Sequence, residues 1–167
     1  MKEINTLRKS IRLLILFFIA ALVISGATAF FIETGLSWLV AAMDGRKGLL
    51  ADWLYTTYSA ARAVNLQYPY MFYGYDWLAF AHLVIAVAFI GPLKDPVRNI
   101  WIIQFGKIAC CMIFPLALVA GYYRQVPLFW QLIDCSFGIA GLVPLTICTY
   151  KIHLLERLQP WASTSNL

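Results

Sequence analysis

Four long apolar stretches alternate with polar segments along the chain. A helix needs about 20 apolar residues to cross the roughly 30 Å hydrocarbon core of a bilayer. The pattern therefore predicts four membrane-spanning helices, over residues 13–32, 73–93, 100–123 and 126–150. The first stretch contains no ionisable residue, whereas each of the other three contains at least one.

The segment of residues 33–72, between the first two spans, is too long to be a simple turn. Apolar residues recur in it at helical spacing in two sets, Leu36, Leu39, Val40 and Met43, then Leu50, Trp53, Leu54, Tyr58 and Ala61. A Gly-containing polar break over residues 44–48 separates the sets. This spacing predicts an outer loop built from two amphipathic helices, which lie in the headgroup region or cap the spans.

The composition excludes an ordinary soluble domain. Hydrophobic residues make up 62% of the 167 residues and charged residues 13%, and the mean hydropathy is +0.74, whereas soluble domains are about half apolar. We therefore predict an all-α fold. It is a polytopic membrane protein with a four-helix bundle, formed as a single membrane domain over residues 1–167.

The distribution of charge predicts the topology. Four crossings place both termini on one side, and nine of the 13 Lys and Arg residues lie on that side. The other four cations are Arg46, Lys47, Arg62 and Arg124. The positive-inside rule then makes both termini cytoplasmic, and we take the membrane to be a bacterial inner membrane. A basic inner rim beside anionic lipid accounts for the net charge of +5 without a nucleic-acid partner.

A cleaved signal peptide is an alternative interpretation of the first apolar stretch. Residues 13–24 resemble a signal-peptide core, and Ala27-Thr28-Ala29 follows as a cleavage-like site. The apolar run continues to Ile32, which is the length of a span and favours retention.

Ionisable residues at membrane depth are costly and mark candidate sites. At about 1.5 Å per residue, His82 and Asp134 both lie roughly 9–11 Å below the outer edge. We therefore expect them to meet in an outward-facing polar pocket as a catalytic pair. Ligand-binding residues would surround them in the layer above, namely Glu33, Asp76, Gln131, Arg124 and Tyr75.

Two interpretations of the His82 and Asp134 pair stay open at this point. A carboxylate and an imidazole in such a pocket can transfer protons near neutral pH. Alternatively, both side chains only form hydrogen bonds that hold helices together.

The sequence offers little support for metals or cofactors, and we expect neither. No His-xxx-His or Cys-xx-Cys spacing occurs, and His82 and His153 fall at opposite faces, which excludes bis-His haem ligation. The four cysteines, Cys110, Cys111, Cys135 and Cys148, lie in spans and serve as apolar fillers. We expect the Lys107 side chain to reach back to the cytoplasmic headgroups.

A four-helix bundle with a long outer loop between its first two helices resembles, in architecture alone, membrane sterol-isomerase-like and sigma-2-receptor-like proteins. No functional motif can be matched residue by residue, so the resemblance assigns no site.

Two functional hypotheses follow from these observations. In the first, the protein binds an apolar or lipid-like small molecule in the outward-facing pocket, with or without acid/base proton transfer. In the second, it is a non-enzymatic accessory subunit that contacts a membrane protein partner or a second copy of itself. Membrane lipid is a partner in both, and the sequence leaves open whether the protein is an enzyme.

Overall fold

Helices form every regular element of the described chain. The computed structural model describes residues 2–43 and 45–158 and shows no strand among them. Its α-helices are α1 (Lys2–Phe30), α2 (Ile32–Ala42), α3 (Leu49–Gln67), α4 (Tyr73–Ala88), α5 (Ile90–Lys94), α6 (Ile100–Pro115), α7 (Gly121–Tyr123) and α8 (Leu128–Leu158). A 3-10 turn over Pro69–Phe72 precedes α4, and a π-helical segment over Leu116–Ala120 joins α6 to α7. The prediction of an all-α fold is confirmed.

Four helical stretches are long and apolar enough to cross a membrane: Glu3–Phe30, Pro69–Lys94, Ile100–Tyr123 and Leu128–Leu158. They match the four predicted segments, but the first starts earlier and the last ends later. The first extends into the polar N-terminal arm because Lys, Glu, Arg and Leu are good helix formers. The last continues to Leu158, and this extension buries Ile152 and Leu155.

The two predicted helices of the outer loop are also confirmed, as α2 and α3, and they pack against each other. Their buried side chains are Leu36 on α2 and Ala51 and Leu54 on α3. Gly45 and Gly48 adopt φ angles of 69° and 135° in the break between them. Such positive φ angles favour glycine, and α3 begins directly after Gly48.

The chain forms two compact units. Residues 21–85 make up one, which we call the central unit, and it contains the outer-loop helices. The terminal unit combines the described residues 2–20 and 86–158, and it contains α6 and α8.

Glycines let α6 and α8 pack closely in the terminal unit. A Cβ atom added at Gly138 of α8 would lie 2.9 Å from the Cys110 carbonyl oxygen of α6. One added at Gly106 of α6 would lie 2.7 Å from the Phe89 ring and 2.8 Å from Leu145. Real Cβ contacts are longer than this, so the two helices can only approach this closely where the side chain is a hydrogen atom.

The Phe89 ring fills the centre of the terminal unit. Phe89 lies at the break between α4 and α5 and is completely buried. Its ring centroid is 4.6 Å from that of Phe18 on α1. On the same helix, Ser10 accepts a 2.6 Å hydrogen bond from the Lys151 ammonium of α8. These contacts join the first half of α1 to the other helices of the unit.

Proline acts differently in the two helices that contain it. Pro115 has no N–H to donate to the Cys111 carbonyl four residues earlier, and the π-helical segment begins directly after it. By contrast, α8 continues as α-helix through Pro144.

In the central unit, α1 and α4 meet at another glycine. A Cβ atom at Gly26 would lie 3.0 Å from the Ala79 carbonyl oxygen and 3.2 Å from the His82 Cβ. Ala29 and Ala79 are also buried. Small side chains therefore line this helix contact, as in many membrane proteins.

We predict that Gly138→Ala destabilises the protein by about 1–3 kcal/mol, because the new methyl group meets a backbone carbonyl that cannot move alone. Gly74→Ala is the matched control, because a Cβ there has nothing within 4 Å, and alanine favours a helix. Thermal unfolding in detergent micelles, followed by circular dichroism, measures both. Equal thermal unfolding midpoints for Gly138→Ala and the wild type would contradict the close contact of Gly138 with the Cys110 carbonyl.

Candidate functional site

The residues of the predicted outer pocket belong to both units. Glu33, Tyr75, Asp76 and His82 lie in the central unit, whereas Arg124, Gln131 and Asp134 lie in the terminal unit. The pairing of His82 with Asp134 therefore stays a prediction.

His82 lies on α4 and is half-buried. Its Nδ1 atom is 2.7 Å from the Leu78 carbonyl oxygen, one helical turn earlier. A carbonyl oxygen only accepts, so Nδ1 donates the proton of this hydrogen bond. One ring nitrogen is thus occupied within the helix, and Nε2 is the atom left for other chemistry.

Asp134 lies one turn after Gln131 on α8 and is also half-buried. Its carboxylate forms no hydrogen bond within the described residues of the terminal unit. The side chain keeps its full capacity to accept hydrogen bonds.

Glu33 has a partner that the sequence pattern did not reveal. The Asn65 amide of α3 donates a 2.5 Å hydrogen bond to Glu33 Oε2 in the first turn of α2. The two residues are 32 positions apart, so only the folding of the loop brings them together. This bond joins the two outer-loop helices and gives Glu33 a structural role.

Gln131 closes the turn between α7 and α8. Its side chain is 7% exposed, and its Nε2 donates a 2.7 Å hydrogen bond to the Val126 carbonyl oxygen. Gly121 packs on its aliphatic part, where an added Cβ would lie 2.7 Å from Gln131 Cγ. The turn itself needs a positive φ of 56° at Gln125. Gln131 therefore stabilises this turn.

The remaining three residues of the predicted pocket lie near helix ends. Asp76 lies in the first turn of α4, where a carboxylate stabilises the helix through the peptide dipoles. Tyr75 is 42% exposed, and its ring stacks at 5.3 Å on Phe72. Arg124 is exposed directly after α7.

The structure contains a groove that the sequence analysis missed, on the surface of α6 and α8. Its volume is about 590 Å³, and it is lined by Gln104, Lys107, Ile108, Cys111, Met112, Pro115, Leu142 and Thr146. The α6 residues recur at intervals of three and four, which places them on one face of that helix. This spacing is visible in the sequence, and it places Lys107 on the same helix face as Ile108, Cys111 and Met112.

Polar and apolar groups occupy different ends of this groove. Gln104 and Lys107 lie towards the start of α6, and Thr146 of α8 joins them in the lining. Met112 and Pro115 lie towards the end of α6, and Leu142 of α8 also lines the groove. The groove therefore has a polar, cationic end and an apolar end.

The ligand sets of metal centres draw on cysteine and acidic side chains, together with histidine. Within residues 2–43 and 45–158, no three His, Cys, Asp or Glu side chains come together in a way that could hold an ion. Cys110, Cys135 and Cys148 are buried free thiols, and Cys111 is exposed in the groove.

Comparisons with known proteins give no further assignment. No family model, no curated protein and no solved structure matches this chain. The function is therefore inferred from the geometry of the described residues.

We predict that Gln131→Met lowers the stability by about 1–3 kcal/mol, because the Val126 carbonyl loses its donor while the side-chain volume stays similar. Gln67→Met, at an exposed position at the end of α3, is the control for the change of side chain. Unfolding midpoints in micelles compare the two variants. If Gln131→Met unfolds like the wild type, the hydrogen bond contributes nothing and the amide is available for a ligand.

Proposed function

We propose that this chain is an integral membrane protein that crosses the bilayer four times and binds a lipid-like small molecule in the α6–α8 groove. In this proposal both termini are cytoplasmic, and the membrane is a bacterial inner membrane. The observation that carries the binding function is the groove of about 590 Å³, with a cation at one end and apolar walls at the other.

The exposed apolar surface supports the membrane part of the proposal. Large apolar side chains are exposed on all four long helical stretches, including Phe17 at 56%, Phe80 at 57%, Met112 at 64% and Phe137 at 65%. Soluble monomers do not leave such continuous apolar surface in water. In a bilayer, lipid acyl chains cover this surface, so the free-energy cost of exposing it to water does not arise.

The shape and lining of the groove support a lipid-like ligand. Sites for small molecules are typically about 300–1,000 Å³, mostly apolar, with a few polar groups that orient the ligand. This groove is open to the side, where acyl chains would lie if the protein is in a bilayer. A ligand can therefore enter from the membrane.

The groove has better support than the outward-facing pocket. Gln131 and Glu33 already form hydrogen bonds within their own units, and His82 Nδ1 is bonded to its own helix. Proton transfer by His82 and Asp134 remains a separate hypothesis, and the groove does not depend on it.

We expect Thr146→Trp to abolish retention of a bound lipid, because the exposed Thr146 position lets an indole fill the groove without entering the core. Ile147→Trp is the matched control, one residue further on α8, exposed and outside the groove lining. Native mass spectrometry of purified protein, mixed with phosphatidylglycerol and phosphatidylcholine of equal chain length, counts lipids per chain.

The proposal expects one retained lipid for the wild type and for Ile147→Trp, and none for Thr146→Trp. Equal lipid retention by all three proteins would contradict binding in the groove. A co-purifying polypeptide in place of lipid would instead support the accessory-subunit function.

A further inference from the structure

We infer that the ligand in the α6–α8 groove is an anionic phospholipid whose phosphate is held by Lys107. This inference rests on the proposed function and specifies the chemistry of the bound molecule. Three features of the groove support it: the lysine, the direction in which the lining changes from polar to apolar, and the position of the polar end along α6.

Lys107 is the cation that lines the groove. It is half-buried on α6, and no carboxylate forms an ion pair with it among the described residues of the terminal unit. A charged group within an apolar helix is costly unless an opposite charge or water compensates it. An anion in the groove supplies that compensation.

The neighbours of Lys107 suit a phosphate group. Gln104, one turn earlier on α6, also lines the groove and adds amide donors. The Thr146 hydroxyl donates its proton to the Leu142 carbonyl at 2.8 Å, so its oxygen accepts further bonds. An ammonium and an amide together favour an anionic acceptor, and the hydroxyl oxygen can accept from a headgroup hydroxyl.

The change of polarity along the groove sets the orientation of the lipid. From Lys107 to Pro115 the lining runs about 12 Å along α6 at 1.5 Å per residue, and it becomes apolar through Met112 and Pro115. A phospholipid placed with its phosphate at Lys107 lays an acyl chain along this apolar part. The chain then points from the start of α6 towards its end.

The same orientation fits the proposed topology. Lys107 lies seven residues after Ile100, where α6 begins, which is a depth of about 10 Å. The start of α6 faces the cytoplasm in the proposed topology, and anionic lipids are concentrated in cytoplasmic leaflets. A lysine at this depth can extend its side chain towards the headgroups, where it would meet the phosphate.

Lipid preference tests this inference. Purified wild-type protein in detergent is mixed with equal amounts of phosphatidylglycerol and phosphatidylcholine of identical chains, and the bound ratio is measured by native mass spectrometry. We expect roughly a tenfold preference for phosphatidylglycerol, the factor that corresponds to 1.4 kcal/mol. Lys107→Gln should retain one lipid with a ratio near one, and Lys107→Arg should keep the preference.

Lys94→Gln is the matched control, because Lys94 is exposed at the end of α5, outside the groove, and loses the same charge. It should keep the wild-type ratio of bound lipids.

A wild-type protein without preference, or a Lys107→Gln protein with the wild-type preference, would overturn the inference while lipid binding itself stands. Unchanged lipid retention by the groove-filling Thr146→Trp variant would instead overturn the proposed function. If Lys107→Gln does not fold, the lipid ratios bound by the wild type and by Lys107→Arg still test the inference, because both should prefer phosphatidylglycerol.

Discussion

The close packing of α6 on α8 is the contact on which the terminal unit depends. At Gly106 and Gly138 the missing side chains let one helix approach the ring of Phe89 and the backbone of the other helix. Close packing at glycines requires neither polar partners nor a large buried area. It can therefore hold together helices whose outer faces are exposed and apolar. The buried core is accordingly a narrow seam, and it includes Ile103, Leu145 and Cys148.

The groove is a consequence of the same packing. The two helices meet along their glycine faces, and Lys107, Met112 and Leu142 flank that seam on one side. Pro115 and the π-helical segment then change the course of the backbone at the apolar end. The groove and the helix seam thus involve neighbouring faces of α6 and α8. A groove-filling substitution can therefore be placed at the exposed Thr146 without touching the seam.

Sequence pattern predicted the helices well but did not reveal the α6–α8 groove or the partners of Glu33 and Gln131. Apolar run length and spacing located the four long helices and both outer-loop helices, since each depends on local sequence. The contacts between α6 and α8 depend on which small residues face the partner helix. On α8, Gly138 and Gly141 make the close contacts, whereas the equally small Ser136 and Ala140 are exposed. The Glu33–Asn65 bond is non-local and left no local signal, and Gln131 turned out to bind the Val126 carbonyl of an adjacent turn.

The membrane topology is the claim on which every functional proposal depends, and cysteine labelling tests it most directly. Lys47→Cys lies in the outer loop and Lys94→Cys at the end of α5, while the native cysteines lie within long apolar helices. With a membrane-impermeant maleimide on intact cells, we expect labelling of Lys47→Cys alone, and of Lys94→Cys only after permeabilisation. Labelling of both variants in intact cells, or of Lys94→Cys alone, would contradict a four-span protein with cytoplasmic termini.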